Sequence, residues 1–200
     1  NGAGSGAGST HLIAFVEDGC VVAEKLLPGR GASEHFAPAL GSLLEEQQWT
    51  EAPGAVVAVI GPVSFTGLRA SLSLAAGLAA GWNCPTVGVT LGAAIRATLG
   101  RPDVACVSLA RRGRFFVDPP NGDVFAISAD DLDETVFSAI AGDGVQERLS
   151  WGCPTINCVA PDALGIVRAA QGQAAGPLSP LYVDPPEAKP PAAGLRPLPQ

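Results

Sequence analysis

The order of apolar and polar residues near the start of the chain predicts a β-hairpin followed by an amphipathic helix. Residues 12–16 and 20–25 are rich in strand-forming side chains, and Asp18-Gly19 between them is typical of a hairpin turn. Apolar residues then recur at helical spacing over 34–47, with Ser33 as a suitable N-cap. The apolar positions of this predicted helix are Phe36, Leu40, Leu43 and Leu44.

The next segments alternate between strand and helix. Residues 55–60 form an apolar run without alternation, which favours a strand covered on both faces. A loop with the sequence GPVSFTGLR follows, and it leads into a predicted helix over 68–81. A strand at 85–89 and a helix at 91–99 come next, so the pattern predicts an α/β fold.

The second half of the chain repeats this mixture less regularly. Its pattern predicts strands at 104–109, 115–117 and 156–159, and helices at 130–140 and 162–170. Prolines dominate after Gly176, which argues against a compact terminal element. We therefore predict an N-terminal lobe over 1–100, a C-terminal lobe over 101–176 and a proline-rich tail over 177–200.

Charge and cysteine content narrow the possible functions. The formal net charge is −7, which argues against a chain that grips a nucleic-acid backbone by itself. Five cysteines without a CxxC motif favour a reducing cytoplasm over a disulfide framework. The longest apolar stretch, 70–82, is shorter than the roughly 20 residues that span a bilayer. No basic residue precedes Lys25, so we expect no secretory signal and a cytoplasmic location.

The loop GPVSFTGLR carries the most chemical information. Gly61 and Gly67 allow backbone conformations closed to other residues, and Ser64 and Thr66 can cap the helix that follows. The free N–H groups at such a helix start could hold an anion, or the loop could be a structural turn. The Gly-Lys-Ser/Thr ending of a Walker A loop is missing, and Phe65 suggests a docking surface.

A cation near the start of a helix opposes the helix dipole. We therefore expect Arg69 to have an acidic partner, within the fold or across an interface.

The helix over 68–81 has two distinct stripes. Ala76 and Ala80 share one side with Gly77 and Gly81, since each pair is four residues apart. Leu68, Leu72, Ala75 and Ala79 form the other stripe. These stripes could be buried against the chain's own sheet, or part of the helix could pack on a partner helix.

Residues 60–90, with GPVSFTGLR, a small-residue helix and a Pro-to-Val strand, resemble the signature of the bacterial TsaB family, also called YeaZ. Glu34-His35 before an apolar helix and the ending Pro180-Leu181-Tyr182-Val183 are similar to the family's pattern. Val63 departs from it, because the family usually has glycine there. The resemblance implies an actin-like, sugar-kinase-like ATPase (ribonuclease H-like) fold with two lobes built on mixed sheets.

The resemblance also implies a function without catalytic residues or a metal. Such a protein supports a TsaD-type catalytic subunit, beside a TsaE-type ATPase, in forming threonylcarbamoyladenosine next to the tRNA anticodon. It contacts tRNA only indirectly, forms homodimers when alone and leaves any ATP mainly to its partners. The implied partner interface comprises Phe36, Leu40, Leu43, Leu44, Leu72, Ala76, Ala79 and Ala80. The signature loop comprises Gly61, Ser64, Phe65, Thr66, Gly67 and Arg69.

Two enzymatic alternatives stay open. An ATPase or small-molecule kinase of the actin-like superfamily would use the glycine-rich segments 2–8 and 61–67 for phosphates. A glycoprotease-like peptidase is the weaker alternative, because His11 and His35 are 24 residues apart and form no HExxH motif.

Overall fold

The computed structural model describes residues 10–28, 32–63, 65–111 and 113–183. The strands are β1 (Thr10–Glu17), β2 (Cys20–Pro28), β3 (Val56–Gly61), β4 (Thr86–Thr90), β5 (Ala105–Leu109), β6 (Arg114–Asp118), β7 (Phe125–Ser128) and β8 (Ile140–Ala141). The α-helices are α1 (Phe36–Gln47), α2 (Phe65–Trp82), α3 (Leu91–Leu99) and α4 (Ala163–Ala170). This mixture confirms the predicted α/β class.

Within these residues the strands form three sheets. β1 and β2 pair antiparallel, and β3 and β4 pair parallel. The third sheet is mixed and has the order β7-β6-β5-β8, with β5 and β8 parallel. None of the helices in the described part of the chain is long and apolar enough to cross a membrane.

The predicted hairpin is confirmed, whereas the predicted start of α1 is wrong. Asp18 and Gly19 turn the chain with φ values of 48° and 76°. Ser33 lies inside a short 3-10 helix, Ala32–His35, and the N-cap of α1 is His35, whose side chain makes no capping hydrogen bond. The 3-10 turn therefore continues directly into α1, and its last residue takes the capping position.

The N-terminal half has helices on both faces of its strands. Ile13 and Phe15 of β1 pack with α1, whereas Leu12 and Ala14 point into the main core shared with α2, α3 and α4. α4, which the sequence assigned to the C-terminal lobe, packs against α3, β1, β3 and β4. α4 is thus part of the N-terminal core.

Residues 130–140 do not form the predicted helix. Asp133 caps only a short 3-10 helix, Glu134–Val136, through a hydrogen bond from the Thr135 N–H to Oδ1 at 3.1 Å. Ile140 then pairs with Ala105 in β8, and both residues are fully buried. Burial of β-branched Ile140 in the sheet outweighs the helical pattern.

The predicted strand at 156–159 is also wrong, and β7 was missed. Near this segment only a single bridge forms, between Ile140 and Thr155, and Pro154 and Pro161 flank it. Because proline cannot donate to a ladder, a regular strand does not extend there. β7 pairs antiparallel with β6, and its register joins Phe125 to Val117.

Residues 171–183 contain no helix or strand, which agrees with the prediction for the start of the tail. They nevertheless lie against the sheet of β3 and β4. The N–H of Gly176 donates to the Thr86 carbonyl at 2.9 Å, and the N–H of Leu181 donates to the Ile60 carbonyl at 2.7 Å. This segment reaches the loop at the end of β3.

Candidate functional site

The signature loop starts at the end of β3, where two backbones approach closely. Gly61 is buried and has a φ of 122°, a conformation that favours glycine. A Cβ at this position would lie 3.1 Å from the Leu181 carbonyl oxygen. The peptide bond between Gly61 and Pro62 is cis. Gly61 therefore lets the C-terminal segment pack on the loop.

Gly67 makes room for a buried histidine. A Cβ on Gly67 would lie 2.9 Å from Cε1 of His11, which is only 4% exposed. The His11 ring meets Phe36 edge-on, with 5.0 Å between ring centroids. His11 is therefore a packing residue between the hairpin, α1 and α2.

The predicted anion site at this loop stays a prediction. Ser64 and the segment 2–8 lie outside the described residues. α2 begins at Phe65, three residues earlier than predicted, but the side chains of Phe65 and Thr66 also lie outside what is described.

Arg69 has a partner within the fold, as we expected. Its Nε donates to the Tyr182 hydroxyl at 2.7 Å, and its guanidinium lies 5.6 Å from the centre of the Tyr182 ring. This described partner is a phenol, and the acidic partner that we expected for Arg69 stays a prediction. The pair joins the first turns of α2 to the C-terminal segment.

The eight residues predicted for the partner interface divide into two groups. Five of them are 3–6% exposed and pack in the chain's own core: Phe36, Leu40, Leu43, Leu72 and Ala79. Leu44 is half-buried against the same core, whereas Ala76 and Ala80 are exposed. The five buried residues offer a partner almost no surface, and an interface on the exposed side of these helices stays a prediction.

Part of the exposed surface of α1 and α2 carries small side chains, although Glu45 and Glu46 are also exposed on α1. On α2 the exposed residues recur at helical spacing, and on α1 Ala37 is exposed and Gly41 is half-buried. The structure leaves open space where Cβ atoms on Gly41 and Gly77 would lie. We call this surface the docking face, and it comprises Ala37, Gly41, Ser73, Ala76, Gly77 and Ala80.

A buried ion pair that the sequence did not indicate joins the two halves. Arg96 Nη2 lies 2.9 Å from Asp118 Oδ1, and the N–H of Gly92 donates to Oδ2 at 2.9 Å. Arg96 Nη1 also donates to the Asp118 carbonyl at 3.0 Å. A Cβ on Gly92 would overlap the Asp118 carboxylate. Both carboxylate oxygens are thus engaged by α3, and Asp118 is a structural residue.

The surroundings of Asp103 and of Cys106 shift the pKa values of these two side chains. Hydrogen bonds from Arg101 and from Ser138 hold the pKa of the Asp103 carboxyl well below its ordinary range. Burial raises the pKa of the Cys106 thiol well above its ordinary value, so this thiol stays protonated. Across the described residues, no three His, Cys, Asp or Glu side chains lie close enough to hold a metal ion.

Comparison with known proteins identifies similar sequences and folds. A family model described as TsaD: tRNA N6-adenosine threonylcarbamoyltransferase matches residues 27–140, more than half of the chain. The structure is similar to that of "an uncharacterized protein with similarity to peptidase YEAZ" from Pseudomonas aeruginosa, with a TM-score of 0.70 and 19% identity. That match covers 88% of this chain and 94% of the other.

A structure of YeaZ from Pseudomonas aeruginosa matches with a TM-score of 0.68 and 18% identity, over 86% of this chain and 94% of that one. A search of curated proteins found no significant match. These similarities confirm the actin-like, ribonuclease H-like fold that the resemblance implied.

Proposed function

Because the chain belongs to the TsaD family of tRNA N6-adenosine threonylcarbamoyltransferases, we propose that it acts in forming threonylcarbamoyladenosine in tRNA. Its role in this proposal is that of a TsaB-type scaffold, which binds and supports a TsaD-type catalytic subunit. The observation that carries the proposal is the docking face on α1 and α2.

The docking face suits a partner helix. Ala76 and Ala80 are exposed one turn apart, and Gly77 lies beside them without a Cβ. Small side chains let two helix backbones approach closely, so larger apolar side chains from the partner can fill the space above Gly77. Removing exposed alanine surface from water supplies part of the binding free energy.

The buried residues beneath the face make it rigid. Leu72 anchors α2 to the main core, and Phe36 and Leu40 anchor α1 to the hairpin. A surface whose backbone is already fixed loses little conformational entropy on binding. The buried residues that we expected in the interface therefore position the docking face, and the exposed Ala76 and Ala80 make the contact.

A non-catalytic role agrees with the state of the most buried carboxylate. A carboxylate that binds magnesium or removes a proton must be reached by the ion or the substrate, and Asp118 is only 3% exposed. Both oxygens of Asp118 already accept hydrogen bonds from α3, at 2.9 Å each. In our proposal the chain binds no nucleotide of its own, and ATP is used mainly by the partner subunits.

The other partners follow from the same proposal. The net charge of −7 makes direct gripping of tRNA unfavourable, so tRNA is held by the TsaD-type subunit. A TsaE-type ATPase joins the assembly through the complex of the first two subunits. Without a partner subunit, two copies of the chain form a homodimer through their docking faces.

Reconstitution of tRNA modification tests this proposal. Threonylcarbamoyladenosine formation should require both this chain and a TsaD-type subunit, and this chain alone should neither modify tRNA nor hydrolyse ATP. ATP hydrolysis by the isolated chain would favour the actin-like ATPase or kinase. Unchanged modification in a reaction that omits this chain would contradict the scaffold role.

A further inference from the structure

The C-terminal segment, residues 176–183, is anchored to both strands of the parallel β3–β4 pair. On β4, the Gly176 N–H donates to the Thr86 carbonyl at 2.9 Å, and the Thr86 hydroxyl donates to the Gly176 carbonyl. On β3, the Leu181 N–H donates to the Ile60 carbonyl at 2.7 Å. Because Thr86 begins β4 and Ile60 lies near the end of β3, the segment passes from one end of this parallel pair to the other.

The sequence of the C-terminal segment suits a fixed path. Leu178 packs against the main core, and a Cβ on Gly88 of β4 would lie 3.7 Å from its Cδ2. Pro177 and Pro180 on either side of Leu178 fix their own φ angles and restrict the residues before them. A chain with few conformations to lose is held in place at a small entropic cost.

The C-terminal segment reaches the first turns of α2 at two points. A Cβ on Gly61 would lie 3.1 Å from the Leu181 carbonyl oxygen and 3.5 Å from Leu68 Cδ2, so the end of β3 lies between the segment and α2. One residue further on, the Tyr182 hydroxyl accepts a hydrogen bond from Arg69 Nε at 2.7 Å, and the guanidinium lies 5.6 Å from the ring centre. A hydrogen bond and a cation–π contact thus join the segment to α2.

The turn that Tyr182 contacts belongs to the helix that carries the docking face. Arg69, Ser73, Ala76 and Ala80 are all exposed and follow one another at spacings of three or four residues, so they share one side of α2. At a rise of 1.5 Å per residue, Arg69 lies about 10 Å along the helix axis from Ala76. Because a helix is a stiff element, movement of its first turns changes the angle of the docking face.

From these contacts we propose that the C-terminal segment positions α2 for docking, with Tyr182 as the positioning residue. This inference rests on the proposed scaffold function. Tyr182 acts through Arg69, by holding the first turns of α2 in the orientation that the partner subunit binds. Docking then costs less conformational entropy, so the affinity for a TsaD-type subunit is higher with the pair than without it.

Hydrogen exchange of the free chain tests whether Tyr182 holds α2. Tyr182→Ala should speed exchange of the amides in the first turns of α2 by about 3–10-fold, because a hydrogen bond and a cation–π contact are lost. Phe125→Ala is the matched control, since Phe125 is an aromatic residue of similar exposure on β7, 38% against 44% for Tyr182. Equal exchange of α2 in the two variants would overturn the proposal.

Calorimetric titration with a purified TsaD-type subunit tests the effect on docking. Tyr182→Ala should bind about 3–10-fold more weakly than the unchanged chain, and Tyr182→Phe, which keeps the ring and loses the hydroxyl, should fall between the two. Gly165→Ala controls for a general loss of stability, because its Cβ would overlap the Thr98 hydroxyl between α4 and α3. Gly165→Ala and Phe125→Ala should both bind within twofold of the unchanged chain.

The two measurements together separate positioning from other roles of Tyr182. Binding by Tyr182→Ala within twofold of the unchanged chain would overturn the positioning role. Weaker binding without faster exchange of α2 would also overturn it, because Tyr182 would then contact the partner subunit itself. Failure of the unchanged chain to bind would instead overturn the proposed function, while the exchange experiment still decides whether Tyr182 holds α2.

Discussion

Arg96 and Asp118 form a buried ion pair, with 2.9 Å between Nη2 and Oδ1, that fastens α3 to β6. The side chains of the two residues are 15% and 5% exposed. Arg96 belongs to the half of the chain that carries the docking face, and Asp118 belongs to the sheet of β5 to β8. The relative placement of the two halves therefore depends on this pair.

Asp118→Ala should lower the free energy of unfolding by about 3–5 kcal/mol, because it leaves a buried guanidinium without its counter-ion. Chemical denaturation measures this change. Asp123→Ala, at an exposed position of the following loop, is the matched control and should change stability by less than about 0.5 kcal/mol. Similar small effects for both variants would show that the pair does not hold the halves together.

Two glycine-to-alanine changes should have opposite effects. A Cβ on Gly165 of α4 would overlap the Thr98 hydroxyl and lie 2.8 Å from the Thr98 backbone nitrogen, so Gly165→Ala should destabilise the chain by about 1–3 kcal/mol. Gly77→Ala meets open space inside α2 and should stabilise it by up to about 1 kcal/mol. Thermal unfolding of the two variants checks both signs, and a stable Gly165→Ala would contradict the close packing of α3 on α4.

Asp103 should make stability depend on pH in the acid range. Its folded-state pKa lies below the ordinary value of 3.8, chiefly because Arg101 donates hydrogen bonds to it. The stabilisation is therefore fully present above about pH 4 and is lost as the pH falls towards the folded-state pKa. Asp103→Asn should flatten the decline in stability below pH 4, whereas Asp131→Asn, at another exposed position, should leave it unchanged. An equally steep loss of stability below pH 4 in both variants would show that Asp103 does not cause it.

Thiol labelling should distinguish two cysteines. Cys20 is exposed, whereas Cys106 is 1% exposed and burial raises its pKa. A thiol reagent reacts with the thiolate, so it should modify Cys20 in the folded protein and Cys106 only after unfolding. Mass spectrometry of the labelled peptides measures the extent of modification at each of the two cysteines. Labelling of Cys106 at the rate of Cys20 in the folded protein would contradict its burial.

The strands and helices of the N-terminal half could be predicted from local patterns. Asp18-Gly19 favours a hairpin by its own backbone preferences, and the unbroken apolar run 55–60 favours a covered strand. Residues 130–140 could not be predicted in this way. Whether Ile140 continues a helix or joins a sheet depends on Ala105, which is 35 positions away in the sequence.

The candidate site was predicted only in part for a similar reason. The sequence showed that α2 has two stripes, but a helix that is apolar all round does not reveal which stripe its own sheet covers. Leu72 is buried and Ala76 is exposed because the sheet lies on one side only. The Arg96–Asp118 pair gave no sequence signal, since its members are 22 positions apart and β5 lies between their elements.

The affinity for a purified TsaD-type subunit tests the docking face most directly. Leu40→Asp is unsuitable, because Leu40 is buried and its replacement tests folding. Ala76 is exposed, so Ala76→Arg tests the contact itself. The variant should bind at least about 100-fold more weakly, because a long side chain keeps the helices apart and its charge loses hydrating water in the interface. Ala52→Arg makes the same change at an exposed position outside α1 and α2 and should bind like the unchanged chain. Affinities of Ala76→Arg and Ala52→Arg within twofold of each other would contradict the account.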